Sequence, residues 1–574
     1  MRLHELARLI RTVRHLRPSQ IYWRGRYTVR RKLSCTLGVQ TAPTDATIPQ
    51  LRADLPASIA ASDETLPDES LITQLSHGSF QHLNAARALG RPADWLLGQI
   101  DHDRLWTVTL HYHRWAFDLA QLASREELGG SEAGELFAEY LSDWMNRCDL
   151  SAPGAIQLAW NAYATATRIG WWIRSALLLG PEWWSSRADF RGRFLSSLSR
   201  QADYLARNIE WDLRGNHLLR DAVGLAWAGR FLNSPQAAQW LRSATVLATD
   251  QVREQILDDG GHFERSPMYH RIVMDDLRIL SKLIEEPTVR REIETALGRM
   301  VDFADWVRHP DGKIPLLNDA ALEAEPAFDQ AAPAGGGRHF AETGLAIWRG
   351  MPWTVFFDVG PIGPDYQPGH GHADTLSLEC SYDGLRLFVD PGTHSYDRDE
   401  RRAYDRSTAA HNTVCVDGTD SSEVWDIFRV GRRARPFRVD IRAAESVFDA
   451  SAAHDGYSHL GSVIHHRRVQ IADGSPLVII DRIEGQGRHR VEGGWLLEPS
   501  WAVSPSSRGW ELRQGLRTVH LIVDGPAELR RTLETRPWHP QFGVEMMTSR
   551  LAWKWEGVLP LETSTIVEPG SAGG

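Results

Sequence analysis

The stretch Gly369-His-Gly-His-Ala-Asp-Thr-Leu-Ser-Leu-Glu-Cys-Ser-Tyr-Asp-Gly-Leu-Arg-Leu-Phe-Val-Asp-Pro-Gly392 carries a fold signal and a chemical one together. Apolar and polar residues alternate from Thr375 to Tyr382 and again from Leu385 to Asp390, the pattern of two strands, and Asp383-Gly384 supplies the tight turn between them. Such a hairpin carries His372 and Asp390 to the same end of a sheet. Farther along, Ala410-His411-Asn412-Thr413 adds a third histidine. Two imidazoles, a carboxylate and an open position suit a zinc ion. The expectation is that His372, Asp390 and His411 bind one divalent metal while His370 faces the other way, into a substrate cleft. In a chain with 23 histidines an H-x-H pair also arises without a metal, and spacing across a sheet does not fix geometry.

Around this stretch the chain divides in two. At 574 residues it exceeds one ordinary domain. Residues 1–70 hold a basic amphipathic start and a loop rich in Pro, Ala, Asp and Thr, read as an arm and linker. Residues 71–335 show helical periodicity in segments of ten to twenty residues, as in Trp106 to Ala120, Leu136 to Met145, Phe190 to Arg207 and Val289 to Trp306, which fits stacked antiparallel helix pairs. The Pro333-Ala-Gly-Gly-Gly-Arg338 segment reads as a joint. From 336 to 574 the pattern is short strands between Asp-Gly and Gly-rich turns, which predicts a large antiparallel β-sandwich. The fold class is α+β and multidomain, helical first and β second.

Composition narrows function. A net charge of −10 gives no footprint for nucleic acid. Four cysteines without C-x-x-C spacing argue against a disulfide framework and a Cys-rich zinc ribbon. No membrane span is evident, and arginines interrupt every apolar run near the N-terminus, so no secretory signal is read. The expected location is cytoplasmic, unless export follows a route the sequence does not show. The basic first helix either touches an anionic membrane or has an ordinary solvated face. The 23 tryptophans favour a carbohydrate cleft collectively, while any single one is better read as packing.

Two constellations stand in the helical half. Asn216-His217 precedes a helix expected from Leu218, where unpaired N–H groups and the positive dipole end suit a carboxylate; a plain N-cap by Asn216 is the rival. The run Leu257-Asp-Asp-Gly-Gly-His-Phe-Glu-Arg-Ser-Pro-Met-Tyr-His270 reads as a long shaped loop, in which Tyr269 is a candidate proton carrier and Asp258, Asp259 and Glu264 are candidate glycosidase carboxylates.

Taken in order, Asn216-His217, the Asp259 to His270 run, Gly369 to Asp374, and Asp390-Pro-Gly-Thr through Tyr404-Asp-Arg-Ser-Thr-Ala-Ala-His-Asn-Thr-Val resemble the heparinase II/III-like polysaccharide lyases, which act on glycosaminoglycans and, in similar two-domain enzymes, alginate. The likeness spans about residues 100 to 500. It implies an incomplete (α/α) toroid followed by antiparallel β-sheets, and a carbon–oxygen lyase that cleaves a uronate polysaccharide by β-elimination, leaving 4,5-unsaturated products. It assigns Asn216 and His217 to neutralising the uronate carboxylate, Tyr269 to the Brønsted acid or to both acid and base, and His370 to the second proton transfer. Glu264, Arg265, Tyr404 and Arg406 fall where substrate contacts are expected. His372, Asp390 and His411 become ligands of a structural metal, zinc in the first place, with manganese or calcium as alternatives. The expected partner is an acidic polysaccharide; oligomeric state is not readable. The rivals are a glycoside hydrolase on the same toroid and a non-catalytic polysaccharide-binding or assembly protein.

Overall fold

The computed structural model describes residues 3–37, 50–51, 67–97, 103–125, 130–322, 333, 335–472 and 474–570. Most of the Pro, Ala, Asp and Thr-rich loop and part of the Pro333 to Arg338 joint lie outside the described residues. Two compact units emerge: Met1–Leu16, Gln255–Met274 and Gly298–Gly574 form one, and Arg17–Glu254 with Asp275–Leu297 form the other.

The second of these units is helical. Ala162–Ser185, Ala188–Arg207 and Asn216–Phe231 pack on one another, and Arg114–Ala123 packs on Gly130–Arg147 and Ala162–Ser185. Asn161 starts the longest helix as its N-cap, accepting a hydrogen bond from Ala164 N. The single helix expected from Trp106 to Ala120 is two, Arg104–Leu110 and Arg114–Ala123, because His113 adopts a left-handed φ of 62° between them. The rings of Phe80, Trp95, Trp115 and Tyr140 meet edge-on or stacked in the core, and Trp144, Trp172 and Trp240 are fully buried. Tryptophan here is therefore mainly a packing residue.

The other unit is built on antiparallel sheets. Gly336–Phe340, Leu345–Arg349, Trp353–Asp358, Leu378–Tyr382 and Leu385–Phe388 form a five-stranded meander in sequence order. An eight-stranded sheet runs from Pro436–Ala443 to Ala502–Pro505, with Leu561–Pro569 inserted between Leu477–Glu484 and Arg517–Asp524. A four-stranded sheet contains Val414–Val416, Arg488–Leu496, Met546–Val558 and Arg530–Trp538. One apolar core joins them through Trp348, Phe357, Leu378, Val469, Ile479, Trp495 and Leu551. Tyr382 pairs with Leu385 across Asp383 (φ 46°) and Gly384 (φ 83°), the two left-handed residues that a tight hairpin turn demands. The first strand is shorter than the alternation suggested: Leu376 turns left-handed (φ 65°), so pairing begins only at Leu378. This architecture agrees with a helical toroid followed by antiparallel sheets.

Cys148, Cys380 and Cys415 are buried free thiols. Among the described residues, no helix is long and apolar enough to cross a membrane.

Candidate active site and metal centre

Within the β unit, Tyr269 lies in the first turn of the helix that starts at Pro267, not in a loop. Pro267 has the fixed φ that a first helical residue needs, and Ser266 caps the turn by accepting a hydrogen bond from Tyr269 N at 3.2 Å. The Tyr269 ring stacks on His370, centroids 3.9 Å apart, and its hydroxyl is 3.0 Å from that of Tyr396. Burial pushes Tyr396 well above the ordinary phenol range, so it stays a neutral hydrogen-bonding partner. His370 Nε2 is 3.8 Å from Glu264 Oε2, and its Nδ1 is 2.9 Å from Asp319 Oδ2.

Asp319 is the hub of this site. It is fully buried, faces Arg402 with both oxygens, and also meets His372 Nε2 at 2.9 Å. Burial opposes its ionisation, but the Arg402 guanidinium and the two histidines outweigh that and hold its carboxyl well below the usual carboxylate range. Neighbouring Asn318 accepts from His372 N and donates to Arg265 O, both at 2.9 Å. The glycine between the histidines is required by space, since a Cβ on Gly371 would collide with Ile362 O.

His372, Asp390 and His411 come together as a buried group, each with a ligand atom within 4.8 Å of the others. His411 Nδ1 meets Asp390 Oδ2 at 2.7 Å and His372 Nε2 is held by Asp319, whereas the opposite nitrogens, His411 Nε2 and His372 Nδ1, are buried with no hydrogen-bond partner. Burial pushes the His372 imidazole down to about 3 and lowers that of His411, which favours the neutral form of both, the form that could ligate a metal. Burial also raises the Asp390 carboxyl well above the usual range; burial, with Asp390 adding repulsion, raises that of Asp374 to about 6. Two orphaned imidazole nitrogens beside crowded carboxylates fit a divalent cation, whose charge would reverse these penalties.

The helical unit holds the other pair. The helix Asn216–Phe231 is capped by Gly215 rather than Asn216, which is its first residue and is buried. Gly215 takes a φ of 59°, a left-handed conformation suited to glycine. His217 Nδ1 is 3.0 Å from Glu210 Oε2, its ring meets the Tyr163 ring edge-on at 5.0 Å, and the side chain is part-exposed. Arg220, one turn on, pairs with Asp276 at 3.0 Å and lies over Tyr163.

Residues 21–333 match the family model for the heparinase II/III N-terminus, and residues 332–558 match the heparinase II/III-like C-terminal model. The chain belongs to the heparinase II/III-like family. It is 23% identical over 490 residues to a heparin-sulfate lyase of Bacteroides stercoris, covering 76% of this chain and 70% of that protein. A heparin-sulfate lyase of Pedobacter heparinus is 25% identical over 355 residues, covering 54% and 50%. Among solved structures, a heparinase III superposes with a TM-score of 0.74 at 15% identity, covering 97% of this chain and 92% of the other. A heparan sulfate lyase from Pedobacter heparinus superposes at 0.58 and 16% identity, over 91% and 86%. At these identities the superpositions speak for the fold.

Several residues of this heparinase II/III-like site escaped the sequence reading: Asp319, Asn318, Tyr396 and Arg402. The available signal was Asn318-Asp319, two polar residues directly after the apolar Ile314-Pro-Leu-Leu317. Two expected substrate contacts do something else here. Arg265 donates to the carbonyls of Thr343, Phe263 and Glu342, and Arg406 to those of Gly371, Trp425, Asp426 and Ile427, so both guanidinia clamp loops. The Tyr404 hydroxyl donates to Pro537 O at 3.1 Å. Glu264 is buried beside His370. Asp259, a glycosidase candidate, accepts from Gly261 N, Thr343 N and Thr343 Oγ1, which fastens its loop.

Proposed function

We propose that this chain is a polysaccharide lyase acting on a uronate-containing glycosaminoglycan of the heparan type by β-elimination. The observation that carries the reading is the Tyr269–His370 stack at 3.9 Å, a phenol and an imidazole adjacent on the helix start and the His-x-His loop. The names of the heparin-sulfate lyase relatives support the substrate class.

The chemistry requires breaking C5–H beside a carboxylate, forming C4=C5, and breaking C4–O4 with a proton delivered to the leaving oxygen. Asn216 and His217 are assigned to the uronate carboxylate, where a hydrogen-bond donor and an imidazolium stabilise the charge of the enolate-like intermediate; losing one such donor raises a barrier by about 3 kcal/mol. Glu210 Oε2, 3.0 Å from His217 Nδ1, holds the imidazole in place. Tyr269 and His370 are assigned to the two proton transfers, with Tyr396 orienting the phenol. Glu264 and Tyr404 are retained as candidate sugar contacts.

His372, Asp390 and His411 would hold a divalent cation, zinc by ligand type, whose charge would tie the hairpin to the segment bearing His411. Its role is structural in this reading.

Incubating the full chain with heparan sulfate, heparin, chondroitin, hyaluronan and alginate and following the ultraviolet absorbance of the conjugated enoate tests the proposal. Absorbance should rise on at least one heparan-type polymer. Reducing ends appearing without enoate would favour the hydrolase, and no cleavage of any polymer would favour a binding protein.

A further inference from the structure

His370 and His372 each turn one ring nitrogen toward the same carboxylate, and they use different ones. Asp319 Oδ2 is 2.9 Å from His370 Nδ1, and Asp319 Oδ1 is 2.9 Å from His372 Nε2. The carboxylate cannot swing to accommodate other arrangements. Its own N donates to His370 O at 2.9 Å, its O accepts from Ser266 Oγ at 2.6 Å, and Arg402 holds both side-chain oxygens while being tied to Ile427 O at 3.1 and 3.0 Å.

An ionised carboxylate only accepts hydrogen bonds, so each imidazole must carry its proton on the nitrogen that faces Asp319. Two histidines two residues apart are thereby forced into opposite tautomers. His370 carries a proton on Nδ1, which leaves Nε2, 3.8 Å from Glu264 Oε2, as the nitrogen open to proton exchange. His372 is protonated at Nε2 and keeps its lone pair on Nδ1, the buried nitrogen without a hydrogen-bond partner beside His411.

We infer that Asp319 is a positioning residue that sets both tautomers at once, so that one buried carboxylate prepares His370 to take a proton and His372 to ligate a metal. The inference rests on the roles proposed above for these two histidines. It also couples them: a change at Asp319 reaches the metal centre and the proton-transfer residue together. A carboxylate present only to neutralise Arg402 would have no such double effect. Replacing it with asparagine keeps the volume but turns one acceptor into a donor, so one imidazole must present a lone pair there and adopt the wrong tautomer.

The direct test is ring-nitrogen NMR of the full chain with isotope-labelled histidine, with the two signals assigned by loss in His370→Gln and His372→Gln. The expected result is an Nδ1–H tautomer for His370 and an Nε2–H tautomer for His372; the opposite tautomer at either overturns the inference, and this holds even where an Asp319 variant fails to fold. Asp319→Asn supplies the second arm. Zinc affinity, measured by competition with a chromogenic chelator, should weaken by about 10–100-fold. On a cleaved polymer, kcat should fall by at least about tenfold with KM little changed. A folded Asp319→Asn protein with wild-type zinc affinity and wild-type kcat also overturns it. If the tautomers are as inferred but His370→Gln turns over normally, the lyase assignment of His370 falls while the role of Asp319 stands.

Discussion

Arg406 grips a single carbonyl, Gly371 O, with two of its nitrogens, Nε at 3.2 Å and Nη2 at 3.0 Å. The carbonyl belongs to the residue between the two site histidines, so this clamp fixes the loop from which one imidazole leaves toward Tyr269 and the other toward His411. Burial pushes the guanidinium down to about 9, and its nitrogens still face only carbonyl oxygens. Lysine offers one compact charge in place of the planar fork. Arg406→Lys should therefore cost about 1–3 kcal/mol of stability from unsatisfied buried carbonyls, seen as a lower melting temperature. Unchanged melting would show that the loop holds itself.

Tyr269→Phe removes the phenol and leaves the ring on His370. If Tyr269 moves a proton, kcat should drop by about 10²–10⁴-fold while polymer affinity is kept. Tyr396→Phe removes only the hydrogen bond to that phenol, so a loss of about tenfold is expected. Steady-state kinetics on the best substrate compare the two; equal losses would place the chemistry on Tyr396 as much as on Tyr269.

Asn216→Ala tests the carboxylate-neutralising role. A fall of about 10²–10³-fold in kcat is expected if its amide meets the developing charge. A rise in KM alone would make Asn216 a ground-state contact.

Removing a bound divalent ion from His372, Asp390 and His411 should destabilise the chain. For an ion at 1,000 times its dissociation constant the loss is about 4 kcal/mol, or roughly 3–6 °C in melting temperature for a chain of this size. Calorimetry of protein shown by metal analysis to be metal-free makes the comparison. Identical melting with and without zinc would mean that the two orphaned imidazole nitrogens hold no structural ion.

A buried network in the eight-stranded sheet predicts the acid limb of stability. Asp481 Oδ1 is 2.7 Å from both Arg467 Nε and His465 Nε2. Burial opposes its ionisation, yet Arg467 and His465 outweigh that and hold the carboxyl at about 2. A depressed folded value contributes stability above the unfolded value near 3.8, and that stability is lost as pH falls toward 2, an effect of roughly 2 kcal/mol. Asp481→Asn should lose about 3–5 kcal/mol at neutral pH, because Arg467 is left buried and unpaired. It should also show a shallower decline between pH 4 and 2, measured by thermal melts. A variant that keeps the wild-type acid slope would assign that limb to other carboxylates.

Much of this site was legible because its chemistry sits in short, local patterns. The hairpin at Asp383-Gly384 follows from alternation and turn residues, and ligand types with the family resemblance point to His372, Asp390 and His411, which the structure brings together. Gly260, Gly261 and Pro267 read as breakers and so place the candidate Tyr269 in a loop, whereas Ser266-Pro267 is a helix start. Asp319 and Arg402 were missed for a different reason. They are far apart in sequence, at 319 and 402, and their meaning comes only from the tertiary contact that joins them to both histidines. The resemblance puts Arg265 and Arg406 among the substrate contacts by position, whereas the carbonyls that occupy their guanidinia come only from tertiary contacts.

Digestion of heparan sulfate by the full chain in water enriched with heavy oxygen, followed by mass spectrometry of the fragments, bears most directly on the proposed elimination. The account predicts fragment pairs whose masses sum to that of the parent, with no heavy oxygen incorporated and one unsaturated end per cut. One heavy oxygen incorporated at each cut, with saturated ends, would contradict it.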